Sequence, residues 1–171
     1  MEIFDISMIP THGGSIRVYT CLKGKYKISK NVKKYIDKEE TGIDFEKKLL
    51  NFSNRIAISK LKINSLIYKY KSIGKSIVGI SSPSRSSTLI NYLGLDHNII
   101  DYICEIKGSL KIGKNIPGTN IPVVDENIIF KNQPDIAIIF SWHIYKELIK
   151  NLKKKGFKGR FLIPLPEPRI I

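Results

Sequence analysis

The chain has 171 residues, 42% of them hydrophobic, and a formal net charge of +14 at pH 7. That is enough chain for one compact domain, or a domain with an arm, and enough apolar residues for a sizeable core. The charge comes from 24 Lys and only 5 Arg, scattered in short clusters beside 32 Ile, as AT-rich codon usage gives. Nucleic-acid surfaces lean on Arg for bidentate contacts, so nucleic acid is not an expected partner. A solvated basic surface with some attraction for phosphorylated small molecules fits better.

Cys21 and Cys104 are too few and too far apart for a zinc site or a disulfide framework, which points to a reducing, cytoplasmic setting. Met1 to Asp5 has no basic start before an apolar run, so no secretory leader is expected. No apolar stretch approaches the roughly 20 residues of a membrane span. No membrane partner is expected.

In chain order, residues 2–9 and 15–22 are β-rich and flank a glycine turn, which predicts a hairpin. Lys23 to Thr41 reads as a polar, lysine-rich connector. From Ile43 to Ser72 apolar residues recur at helical spacing, predicting a long amphipathic helix with a break near Ser59. Gly74 suits its left-handed cap. The pattern then alternates. Short apolar runs at Ser76 to Ser81, Ile99 to Glu105, Ile121 to Val124, Asp135 to Ser141 and Arg160 to Pro164 read as strands. Helices are predicted from about Ser87 to Leu93 and from Trp142 to Lys155. This order predicts an α/β, Rossmann-like, mostly parallel sheet flanked by helices. The expected division is 1–73, the hairpin and long helix packing on the core, and 74–171, the α/β domain, together forming one domain.

Two loops concentrate functional groups. Ile9-Pro10-Thr11-His12-Gly13-Gly14-Ser15-Ile16-Arg17 combines a rigid proline, an imidazole, adjacent glycines, a hydroxyl and a guanidinium. A bare Gly-Gly turn would explain the glycines, though not Thr11, His12, Ser15 and Arg17 beside them. The second loop, Ser81-Ser82-Pro83-Ser84-Arg85-Ser86-Ser87-Thr88, follows the first parallel strand, where free N–H groups and the helix dipole favour an anion. Alternatively, Ser86 or Ser87 merely caps the helix. The loop lacks two of the three glycines of a dinucleotide fingerprint, which disfavours a nucleotide-dependent oxidoreductase. Glu105 at a strand end could meet a ribose or simply be solvated. Trp142-His143 sits after the most apolar strand, where core packing competes with ligand contact. His97 belongs in an exposed loop. The residues present no catalytic triad, carboxylate pair or metal cluster of specific spacing.

Taken together, these segments resemble the C-terminal domain of the S-adenosylmethionine-dependent sugar C-methyltransferases, which act on nucleotide-linked keto-deoxysugars. The resemblance begins at Pro10-Thr11-His12-Gly13-Gly14-Ser15. It continues through Ser82 to Tyr92 and Gly113 to Val123, then Pro134-Asp135 and Ser141-Trp142, and ends at Gly159 to Glu167. In the serine loop Arg85 keeps the charge of the family's lysine, whereas Ser86 and Ser87 replace its glycine and asparagine. Asn120 stands where the family often has histidine.

The resemblance implies a substrate-side, nucleotide-sugar-binding domain of a deoxysugar-biosynthesis transferase, truncated or split. It implies substrate contacts from His12, Gly13, Gly14, Ser15 and Arg17 at the sugar and from Pro83, Arg85 and Thr88 at the diphosphate. Asn91 and Trp142 join that set. A full-length member carries a zinc module, an S-adenosylmethionine site and a proton-abstracting base, and none of these is expected within this chain. No catalytic residue and no metal ligand is therefore assigned, and the chain alone is expected to be inactive. An alternative is a stand-alone binding or interaction subunit that partners a separate methyltransferase chain.

Overall fold

The structure is a computed structural model that describes residues 1–11, 14–40 and 45–171. It forms two compact units, Met1–Ser53 and Asn54–Ile171, divided within one long helix.

In the first unit, β1 (Glu2–Ile9) pairs antiparallel with β2 (Ser15–Cys21), with Ile9 opposite Ser15 next to the turn. The predicted hairpin is therefore present, with a bulge between Ile3 and Asp5. The lysine-rich connector is not all coil. Its residues Lys30–Glu40 form helix α1, which apolar periodicity does not reveal because Val32 is its one residue counted among the buried hydrophobics. Polar anchoring starts it instead. The Asp5 carboxylate accepts hydrogen bonds from Ser29 Oγ at 2.5 Å and Asn31 Nδ2 at 3.3 Å, and these partners hold the Asp5 carboxyl below its ordinary range.

Helix α2 (Phe45–Lys71) runs 27 residues and passes through Ser59 without the expected break. It closes where the Lys75 N–H reaches the Tyr70 carbonyl at 3.1 Å. Gly74 takes φ 75° there, a conformation that costs a residue with a Cβ.

The second unit is a six-stranded sheet in the order β5-β4-β3-β6-β7-β8. Its strands are β3 (Ile77–Ile80), β4 (Ile103–Glu105), β5 (Val123–Asp125), β6 (Ile136–Ile139), β7 (Arg160–Ile163) and β8 (Arg169–Ile170). All neighbours are parallel except β7 and β8. Every residue of β3 and β6 is buried, so both faces must be covered, as their unbroken apolar runs require.

Successive side chains of a strand point to opposite faces, and two clusters result. Ile77, Ile136 and Ile138 lie with Ile63 and Ile67 of α2 and with Ile90 and Leu93 of α3 (Ser84–Leu93). Val78, Ile80, Ala137 and Ile139 lie with Ile129 of α4 (Asn127–Asn132) and Leu152 of α5 (Tyr145–Lys154). Gly79 leaves room for the core of the first face. A Cβ there would stand 2.7 Å from both Ile103 Cγ1 and Phe140 Cε2.

Several boundaries move from their expected places. The strand predicted from Ile99 starts only at Ile103, because Ile99 and Ile100 donate their N–H groups to the Asp96 carbonyl in a turn. The helix predicted from Trp142 opens with a 3-10 turn over Trp142–Ile144. The short elements α4 and β8 have no counterpart among the predicted ones.

Candidate functional site

The chain leaves β3 through α3 to β4 and β5 on one side and places β6 on the other, so the strand order reverses between β3 and β6. In open α/β sheets a crevice for ligands lies beyond the carboxyl ends of such strands. Ser81 and Ser141 stand at these two ends with their hydroxyl oxygens 2.5 Å apart. Ser81 turns the chain at φ 60°, a left-handed conformation uncommon for a residue with a Cβ.

The buried Ser82 is clamped from two sides. Its N–H donates to Glu105 Oε1 at 2.5 Å, and its carbonyl accepts from Lys111 Nζ, which also lies 3.8 Å from Glu105. The sequence leaves Glu105 open as a ribose contact or a solvated side chain. Its carboxylate is instead tied into the wall of the crevice.

Pro83 caps α3 with extended backbone and no side-chain hydrogen bond. The alternative role of Ser86 or Ser87 as a cap does not hold. Ser86 Oγ donates to the Pro83 carbonyl at 2.7 Å and Ser87 Oγ to the Ser84 carbonyl at 2.8 Å, so neither hydroxyl meets an N–H of the first turn. That turn faces the crevice with the positive end of its dipole.

Arg85 adds a full charge there. Its guanidinium lies over the Trp142 ring at 4.9 Å, and Nη2 is 2.6 Å from His143 Nδ1 and 3.1 Å from Nε2. The half-buried Trp142 ring also packs on the second core cluster, which is the core role weighed for it. Thr88 lies exposed one turn further along α3.

Asn91 points elsewhere. Its Nδ2 donates to the Ser87 carbonyl at 2.7 Å and the Pro117 carbonyl at 2.9 Å, which seats the 115–122 loop on α3. Between that loop and the start of α3 lies a cavity of about 310 Å³ lined by Ser82, Pro83, Ser84, Ser87, Lys111 and Lys114 among others. Hydroxyls, two lysines and a helix start suit an anion.

Sequence reasoning missed His143 as a partner of Arg85, although its place beside Trp142 at a strand end was a usable signal. It also missed Lys111 and Lys114, which sit in a loop with no periodicity. His97 is exposed, as predicted.

Burial, with Glu126 and Asp125 nearby, pushes the Cys104 thiol up to about 12, so it is unreactive near neutrality. Among the described residues no three His, Cys, Asp or Glu side chains converge as metal ligands. Nor is any of their helices long and apolar enough to cross a membrane.

In the hairpin unit, Gly14 takes φ 121° and donates its N–H to the Thr11 carbonyl at 3.0 Å. Ser15 Oγ reaches the same carbonyl at 3.1 Å. Hydrogen bonds from Arg17 and Ser7 hold the Tyr19 phenol below its ordinary range. His12 and Gly13 lie outside the described residues.

The sheet defines a Rossmann-like α/β domain. Residues 10–166 match the C-methyltransferase C-terminal domain family, and the chain belongs to it. One relative is the C-methyltransferase NovU of Streptomyces niveus, 30% identical over 176 residues, an alignment that takes in 100% of this chain and 41% of NovU. The chain therefore spans about two fifths of that relative's length.

Proposed function

We propose that this chain is the nucleotide-sugar-binding part of a sugar C-methyltransferase, and that the methyl donor is held elsewhere. The observation that carries this reading is Arg85. Stacked on Trp142 and hydrogen-bonded to His143, its guanidinium is held at the open start of α3, where a diphosphate would find both a full charge and free N–H groups. Pro83 and Thr88 flank it on the same loop and helix.

Two features of the crevice support a methyl donor held elsewhere. Glu105, the acid placed to hold a ribose, is engaged by Ser82 and Lys111, and the loop has serines where close approach of a cofactor asks for glycine. Catalysis by this chain alone is not part of the proposal.

Calorimetric titration with a thymidine-diphosphate sugar tests it, with Arg85→Ala as the control. Binding by the unaltered chain that falls at least tenfold in the variant supports the reading. No heat from the unaltered chain ends it.

A second reading, a subunit completing a separate methyltransferase chain, draws on the apolar residues of α2. Leu50 and Phe52 are 66% and 59% exposed, and adjoining large apolar side chains left this open suit a partner surface. Light scattering on the chain alone and mixed with a methyltransferase lacking this domain separates the two readings. A stable mixed complex favours the second.

A further inference from the structure

The amino-terminal ends of the same strands carry a second concave surface that the crevice does not use. A cavity of about 390 Å³ opens between Tyr70 at the end of α2, Lys75 ahead of β3, Gln133 to Asp135 ahead of β6, and Lys158 to Arg160 ahead of β7. Its walls are held in place. Gln133 adopts φ 46° and ψ 58°, a conformation rare for its residue type that persists only where surroundings enforce it.

The Gln133 side chain provides that enforcement. Its Nε2 donates to the carbonyls of Phe130 at 3.0 Å and Gly156 at 3.1 Å, and its Oε1 accepts from the Lys158 N–H at 2.9 Å. Gly159 closes the joint, since a Cβ there would collide with the Pro134 carbonyl and the Phe157 ring.

The charges on these walls do not cancel. Asp135 is the acid of the cleft, and it is already saturated by Lys75 Nζ at 2.9 Å and by Ser76 through its N–H and hydroxyl. Arg160 donates one bond to the Tyr70 hydroxyl at 3.0 Å. A guanidinium carries five N–H donors, and among the described residues neither Arg160 nor Lys158 forms an ion pair. Two cations thus face one preformed cleft whose only carboxylate is spoken for.

We propose that this cleft is a second anion site, at the opposite end of the sheet from the crevice, which takes a small phosphorylated molecule on Arg160 and Lys158. Tyr70 orients the guanidinium, and the Gln133 staple keeps the Lys158 backbone in position.

The test is a titration of the 15N-labelled chain with inorganic pyrophosphate, followed residue by residue through the amide resonances. Saturable shifts at Lys158, Gly159 and Ile136 are expected, with millimolar or tighter affinity. They should weaken at least tenfold in both Arg160→Gln and Lys158→Gln and persist in Arg85→Ala. The last variant separates this cleft from the crevice, whose shifts would centre on Ser84 to Ser86, so either site can fail without the other. No saturable shift at residues 158–160, or shifts unchanged by both glutamine variants, overturns the proposal.

Discussion

Ser81 and Ser141 face one another across the reversal of strand order, their hydroxyl oxygens 2.5 Å apart. The contact joins the carboxyl ends of β3 and β6, strands that also share backbone ladder bonds. Because Ser141 is buried, its hydroxyl depends on this partner, and the mouth of the crevice is set by a side-chain bond.

Ser141→Ala should therefore cost about 1 kcal/mol, the usual net worth of such a bond. Ser81→Val should cost more, since it loses the bond and also forces a β-branched residue to φ 60°, adding strain of about 1 kcal/mol or above. Urea unfolding of the two variants gives the ranking.

Arg85→Lys keeps a charge but gives up the planar stack and the fork of donors. Trp142→Leu keeps some of the core packing and removes the ring beneath the guanidinium. Both variants should bind a thymidine-diphosphate sugar about tenfold more weakly by calorimetry, while their far-ultraviolet circular dichroism stays unchanged.

Gly79→Ala should destabilise the second unit by about 1–3 kcal/mol, the range for overpacking a filled core. The added methyl meets Phe140 and Ile103 at once. Combining it with Phe140→Leu should recover part of the loss in thermal unfolding, because the neighbour then yields.

Asp135 predicts a limb of acid sensitivity. Lys75 first, then Ser76, holds its carboxyl down at about 2 against an ordinary value of 3.8. A lowered folded value means the contribution is complete above pH 3.8 and is lost as pH falls towards 2. The carboxylate is 37% exposed, so solvent screening keeps the effect modest. Asp135→Asn should flatten the dependence of the urea midpoint on pH within that window and leave the slope above pH 5 unchanged.

How much of this was legible in the chain depends on what each element buries. The runs Ile77–Ile80, Ile136–Ile139 and Arg160–Ile163 are short and almost wholly apolar, which only a strand covered on both faces explains. Helix α1 buries little beyond Val32 and is anchored by Asp5 from a distant strand, so no local period announces it. The cluster of hydroxyls around Arg85 was readable because it falls within eight residues. Its clamp was not, since Glu105 and Lys111 meet Ser82 only after the strand order is known.

The meeting of Asn91 and Gly118 has a consequence for how this domain can change. With φ 77° at Gly118 and no space for a Cβ beside the Asn91 amide, helix α3 and the 115–122 loop are two halves of one fitted joint. A substitution at either position alters the other's allowed neighbours, so the pair should vary together among relatives. Anyone reshaping the cavity for a different ligand must redesign positions 91 and 118 as a unit.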